Sequence, residues 1–178
     1  LLERKLTKEL EKIHITDEAA KAFYNKYPEI RTSHIFVALS PDAPANEQKQ
    51  AYDKIKKIYD EQHIADGKVV FSDIAQKFSE GPSAPKGGDI DYQIKNLPDP
   101  IYYETALKLK TPGKISGIVR SHFGYHIIKL TAVKAWEDVD PKQVKLLAFE
   151  EERAKAFEKY MANLRSKGKV TARYELIK

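Results

Sequence analysis

Phe123-Gly124-Tyr125-His126-Ile127-Ile128-Lys129-Leu130 is the stretch on which the fold turns. Its aromatic and β-branched residues suit a strand. A second strand-like run, Ile115–Arg120, precedes it across Ser121-His122-Phe123-Gly124, a connection short enough for a hairpin. Alternation places His126 on one face with Ile128 and Leu130. Far upstream, Ser33-His34-Ile35-Phe36-Val37-Ala38-Leu39 is a near-continuous apolar run ending in Ser40-Pro41, as in a central strand covered on both faces. There His34 shares a face with Phe36 and Ala38, and Ile35, Val37 and Leu39 take the other. Each run thus carries one histidine among apolar neighbours. Taken alone, these are either two separate core histidines with backbone partners or a pair.

Between these strands the apolar period becomes helical. A helix is expected from about Pro44 to near Asp66-Gly67, with Ala51, Ile55, Ile58 and Tyr59 inward. Phe71, Ile74, Ala75 and Phe78 mark a short second helix. Gly81-Pro82 and Lys86-Gly87-Gly88 then bracket a loop. Ile101, Tyr102, Thr105, Ala106 and Leu109 give a third helix, closed before Pro112-Gly113.

The ends of the chain read as helical flanks. Leu2, Leu6, Leu10 and Ile13 form one stripe, with no cap ahead of Leu1, so the chain is expected to start within a longer protein. Thr16 caps a helix with Ala20, Phe23, Tyr24 and Tyr27 inward, stopped by Pro28. Asp140-Pro141 opens a long helix carrying Val144, Leu147, Ala154, Phe157, Tyr160, Met161 and Leu164. Gly168 is its expected cap, and Val170, Ala172, Tyr174 and Leu176 alternate in a closing strand. The expected class is α+β: a mixed sheet surrounded by helices, spanning residues 31–133. It is inserted in a discontinuous helical lobe built from residues 1–30 and 134–178.

Composition narrows the function. With 178 residues, 42% hydrophobic and 32% charged, the chain is neither disordered nor collagen-like. No apolar run approaches the ~18 residues of a membrane-spanning helix, so no stable membrane insertion is expected. The absence of cysteine excludes disulfides and thiolate metal sites. The net charge of +5 is interleaved with acids rather than gathered in a block, which reads as solvated helix faces and not a nucleic-acid surface. Phosphate-loop, dinucleotide, nucleophile-elbow and zinc-protease signatures are missing from the sequence. His122 and His126 have metal-ligand spacing only on a helix, and the hairpin reading argues against one, so neither metal nor cofactor is expected.

Three ordered segments resemble the parvulin family of peptidyl-prolyl isomerases. Arg31-Thr32-Ser33-His34-Ile35 is like the family's opening strand, R-A-x-H-I-L. Ser79 through Gly87-Gly88-Asp89-Ile90 is close to S-x-x-x-S-x-x-x-G-G-D-L, and Pro112-Gly113-Lys114-Ile115-Ser116-Gly117 with Phe123 to Leu130 is similar to the closing hairpin. The flanks more loosely resemble those of bacterial extracytoplasmic foldases of the SurA and PrsA type, whose flanking segments form a chaperone lobe.

The resemblance implies rotation about X-Pro amides, whose barrier is ~18–20 kcal/mol, with no cofactor or metal. It implies a catalytic floor in which His34 and His126 are hydrogen-bonded to each other, with the Ser121 hydroxyl beside them. The proline cup would draw on Ile90, Leu97, Tyr102 and Phe123, with Tyr102 and Tyr103 not distinguished. Implied partners are unfolded or proline-containing polypeptides, with a homodimer left open, in the periplasm or cell envelope. Two departures stand out. Gly81 occupies the position where many parvulins carry Cys or Asp, leaving Glu80 and Asp89 as nearby substitutes. Asp91 replaces the glycine that turns the strand. The alternative is therefore a catalytically weak or inactive parvulin-fold binding module that holds client chains.

Overall fold

The computed structural model describes residues 7–8, 10–95 and 99–166. Leu2, Leu6, Leu97, Gly168 and the expected closing strand lie outside the described residues. The chain divides into two compact units, one of Tyr27–Asp138 and one drawn from the segments before and after it.

The Tyr27–Asp138 unit is built on strands β1 (Ile30–Ala38), β2 (Asp89–Gln93), β3 (Ile115–Arg120) and β4 (Gly124–Val133), in spatial order β2-β1-β4-β3. The α+β class is as expected. All three ladders are antiparallel, however, where a mixed sheet was expected. The central β1–β4 ladder is long and almost unbroken, pairing His34 with Ile128 and Phe36 with His126.

Helices cover both faces, and strand alternation decides what each face buries. Ile35, Val37, Leu39 and Ile127 pack with Ala51, Ile55 and Ile58 of α2 (Ala45–Glu61) and with Phe71, Ile74 and Ala75 of α3 (Phe71–Phe78). The opposite face buries Ile30, Ile128 and Leu130 beneath Tyr102, Tyr103 and Ala106 of α4 (Pro100–Lys108). Helix α2 stops at Glu61, earlier than the apolar period suggests, and a 3-10 turn at Ile64–Asp66 carries the chain on to Gly67.

The strand that sequence pattern missed is β2. It reads Asp-Ile-Asp-Tyr-Gln, sits at the sheet edge and is only partly buried, so it has no apolar alternation to betray it. Gly88 leads into it at φ +80°, where a Cβ would lie 2.2 Å from the His34 carbonyl oxygen. Only glycine lets the two backbones meet there, and the His34 N–H donates to the Gly88 carbonyl at 2.9 Å.

This unit extends past residues 31 and 133. The Tyr103 hydroxyl donates to the Pro28 carbonyl at 2.6 Å, and Lys134 pairs with Glu29 at 3.1 Å.

In the other unit, α1 (Asp17–Lys26) packs on α5 (Pro141–Ser166), burying Ala20, Tyr24, Val144 and Ala148. Thr16 begins α1 as expected, its Oγ1 accepting from the Ala19 N–H at 3.1 Å. Among the described residues no helix is long and apolar enough to cross a membrane.

Candidate active site

The β1–β4 register creates the site. Because Phe36 faces His126 and His34 faces Ile128, the two histidines are diagonal neighbours on one face of the sheet. Their Nδ1 atoms stand 3.2 Å apart. His126 Nε2 lies 2.6 Å from Ser121 Oγ, and His34 Nε2 lies 3.0 Å from Ser83 Oγ. Phe36 stacks on both rings at centroid distances of 5.7 and 4.7 Å, and Tyr102 meets both edge-on at 5.7 and 5.2 Å.

Hydrogen-bond accounting constrains this chain. Ser121 Oγ accepts the Phe123 N–H at 3.1 Å and keeps a proton and a second lone pair for His126 Nε2. The Nδ1–Nδ1 contact needs one ring to donate and the other to accept, and each ring's Nε2 then takes the complementary role toward its serine. That arrangement requires two neutral imidazoles. Burial supplies them, lowering His34 to about 4 and His126 to about 3, the latter also disfavoured by the charge His34 would carry.

Above the pair lies a cavity of about 210 Å³ lined by His34, Ile90, Gln93, Asp99, Tyr102, Ser121, Phe123 and His126. It is small beside ligand pockets of ~300–1,000 Å³ and suits one apolar side chain rather than a cofactor. Tyr102 is fixed by a 3.0 Å bond to Thr32 Oγ1, and burial raises its phenol well above the ordinary value. Phe123 stands at the rim, 49% exposed. The ambiguity between neighbouring tyrosines is resolved: Tyr102 lines the cup, and Tyr103 is turned to the Pro28 carbonyl.

Asp99 holds the cup together. Its Oδ1 caps α4 by accepting from the Ile101 and Tyr102 N–H groups at 2.9 and 3.2 Å. Its Oδ2 accepts the His122 N–H at 2.6 Å, tying α4 to the β3–β4 hairpin. The local signal for this residue is the helix-start pair Asp99-Pro100, which the reading of the third helix did not use, and the link to the hairpin leaves no local signal. Thr32, Ser83, Gln93 and Asp99 were all missed as site residues: Thr32, Ser83 and Asp99 act through partners remote in sequence, and Gln93 enters the cup from an edge strand without apolar alternation.

The departures can now be placed. A Cβ on Gly81 would lie 3.5 Å from His34 Nε2 and 3.3 Å from Phe36 Cδ1, so a side chain there would touch the pair. Neither expected substitute does so. Glu80 accepts from the Ala38 N–H at 2.7 Å and pairs with Lys54, and Asp89 pairs with Arg31. Ser83 takes the His34 contact instead. Asp91 does adopt the left-handed region, at φ +62°, and its carboxylate accepts the following Tyr92 N–H at 2.8 Å. The His122 side chain is exposed, with its ring edge-on to Phe123 at 5.9 Å, and its backbone N–H donates to Asp99. Among the described residues no cluster of three or more histidine or acidic side chains is placed to hold a metal.

A family model for the rotamase, or PPIC-type PPIase, domain matches residues 34–132, and the chain belongs to that family. The foldase protein PrsA of Geobacillus sp. (strain WCH70) is 35% identical over 124 residues, covering 68% of this chain and 39% of that protein. The chaperone SurA of Photorhabdus laumondii is 33% identical over 116 residues, covering 65% of this chain and 25% of that protein. The crystal structure of the peptidylprolyl isomerase PrsA from Bacillus anthracis superposes with a TM-score of 0.52 at 27% identity, covering 93% of this chain and 70% of that one. The chain spans between about a quarter and a half of the length of the curated relatives it matches.

Proposed function

We propose that the protein is a peptidyl-prolyl cis-trans isomerase and folding chaperone acting on unfolded or exported polypeptides outside the cytoplasm. The observation that carries the isomerase reading is the neutral His34–His126 pair, flanked by Ser121 and Ser83, beneath an apolar cup. Rotation about X-Pro makes and breaks no covalent bond, and unaided it takes ~10–100 s. Water bonded to the amide carbonyl favours the planar, charge-separated amide. Seating the proline ring against Ile90, Tyr102 and Phe123 excludes that water and lowers the barrier. His34, His126 and Ser121 shape the floor through fixed hydrogen bonds and exchange no proton with the substrate. Leu97, expected in the same cup, stays a proposal from the family resemblance.

The unit containing α1 and α5 is assigned to holding client chains, on the strength of its resemblance to the foldase flanks. A homodimer is compatible with this reading and is tested by sedimentation.

Gly81 favours a second reading, a weak or inactive isomerase that chiefly binds, since glycine brings no ionisable side chain to the place where a Cβ would lie 3.5 Å from His34 Nε2. A protease-free isomerisation assay on an X-Pro peptide separates the two. The isomerase reading expects faster cis-to-trans relaxation. A rate equal to buffer with tens of micromolar protein leaves only the binding module.

A further inference from the structure

The cup's polar side chains are almost all spoken for. His34 and His126 use both ring nitrogens, Ser121 is bonded to both His126 and the Phe123 N–H, Tyr102 is bonded to Thr32, and both Asp99 oxygens accept backbone N–H groups. Gln93, the last residue of β2, differs. Its Nε2 reaches the Ile90 carbonyl only at 3.5 Å, and its Oε1 is buried with no hydrogen-bond partner among the described residues. A buried acceptor without a donor is costly. The terminal torsion of glutamine is broad, so the carboxamide can turn toward a donor that enters the cup.

We propose that Gln93 Oε1 accepts the backbone N–H of the residue following the seated proline, making Gln93 a specificity-determining residue that selects a secondary amide there. The inference rests on the isomerase reading of this site. Proline has no N–H of its own. The N–H of the preceding residue lies beyond the rotating bond and swings away as the amide turns. The N–H of the following residue is joined to the ring through proline's own Cα and carbonyl, so rotation about X-Pro leaves it in place. An acceptor in the wall of the cup can hold only the second through the whole reaction. A bond present equally in cis, twisted and trans states tightens binding without changing turnover, so its signature is in KM and not in kcat.

The test uses the full chain and two peptides, acetyl-Ala-Leu-Pro-Phe-amide and the analogue in which an ester oxygen replaces the N–H after proline. Affinity and catalysed exchange are both read by NMR, for the wild type and for Gln93→Leu and Gln93→Met. The wild type is expected to bind the amide about five- to tenfold more tightly than the ester, the worth of one hydrogen bond. Both variants should bind the two peptides alike, with kcat within about twofold of wild type. Equal affinity of the wild type for both peptides overturns the proposal, as does discrimination that survives in the variants. The wild-type comparison stands even if a variant fails to fold. If the wild type binds the peptides but accelerates neither, the isomerase reading falls, and the affinity ratio still decides the role of Gln93. Failure to bind either peptide overturns both.

Discussion

Protonating His34 or His126 would place a charge on a ring wedged between Phe36 and Tyr102, and would remove one of the acceptor nitrogens in the chain from Ser121 through the two rings to Ser83. With values of about 4 and about 3, both rings stay neutral through the physiological range. Isomerase activity is therefore expected to be flat from pH 8 down to about 5.5, with no step near the ordinary histidine value of about 6.5, and to fall only as pH approaches 4. A rate profile checks this. Stability follows a different window. Both folded values lie below the unfolded one, so between roughly pH 6.5 and 4 the unfolded chain binds protons that the folded chain refuses. Stability is full above about 6.5 and is lost as pH falls through that window, which urea unfolding at pH 7 and pH 5 would register. If the rings act as one unit, His34→Ala and His126→Ala should cost similar activity, and the double variant little more than either. Gly81→Asp tests the missing partner. A carboxylate beside His34 Nε2 should raise the His34 value by about 1–3 units, read from imidazole NMR titration.

At the level of elements, the site depends on one ladder and one cap. The antiparallel β1–β4 register makes the histidines diagonal neighbours, and a slip of one residue would put them on opposite faces of the sheet. Helix α4 is set over them by Asp99, whose carboxylate holds the first turn of the helix and the hairpin at once. Asp99→Ala should destabilise the Tyr27–Asp138 unit by about 2 kcal/mol, the upper range for a lost cap, because the His122 N–H is also left without its acceptor. Asp99→Asn retains one acceptor oxygen and should cost less. Chemical denaturation gives both values. A proportionate loss of peptide affinity is expected, since Tyr102 rides on the capped turn.

On the scale of the whole molecule, the Tyr27–Asp138 unit has two helix-covered sheet faces of its own. It has what independent folding requires. Residues 27–138 alone are expected to fold and keep most short-peptide isomerase activity while losing the ability to suppress aggregation of an unfolded client. Cutting at residues 31 and 133 instead would sever the Tyr103–Pro28 bond and the Glu29–Lys134 pair. The peptide assay and light scattering compare the pieces. Equal protection of the client by residues 27–138 and the full chain would remove the chaperone role from the flanking unit.

Periodicity in the sequence already determined the helices, the hairpin and the face on which each histidine lies, because alternation and helical spacing are local properties of the backbone. The cap at Thr16 was legible for the same reason, and the turn at Asp91 from the family resemblance. Tertiary structure alone decided the rest. It paired His34 with His126 across 92 positions of chain and chose Tyr102 over Tyr103. It also spent Glu80 and Asp89 on Lys54 and Arg31, and left Gln93 with an unused oxygen. Edge strand β2 escaped the sequence because half-exposed residues carry no alternation. The partner a polar group finds depends on strand register and on packing between distant segments, and neither is written in any local window of the chain.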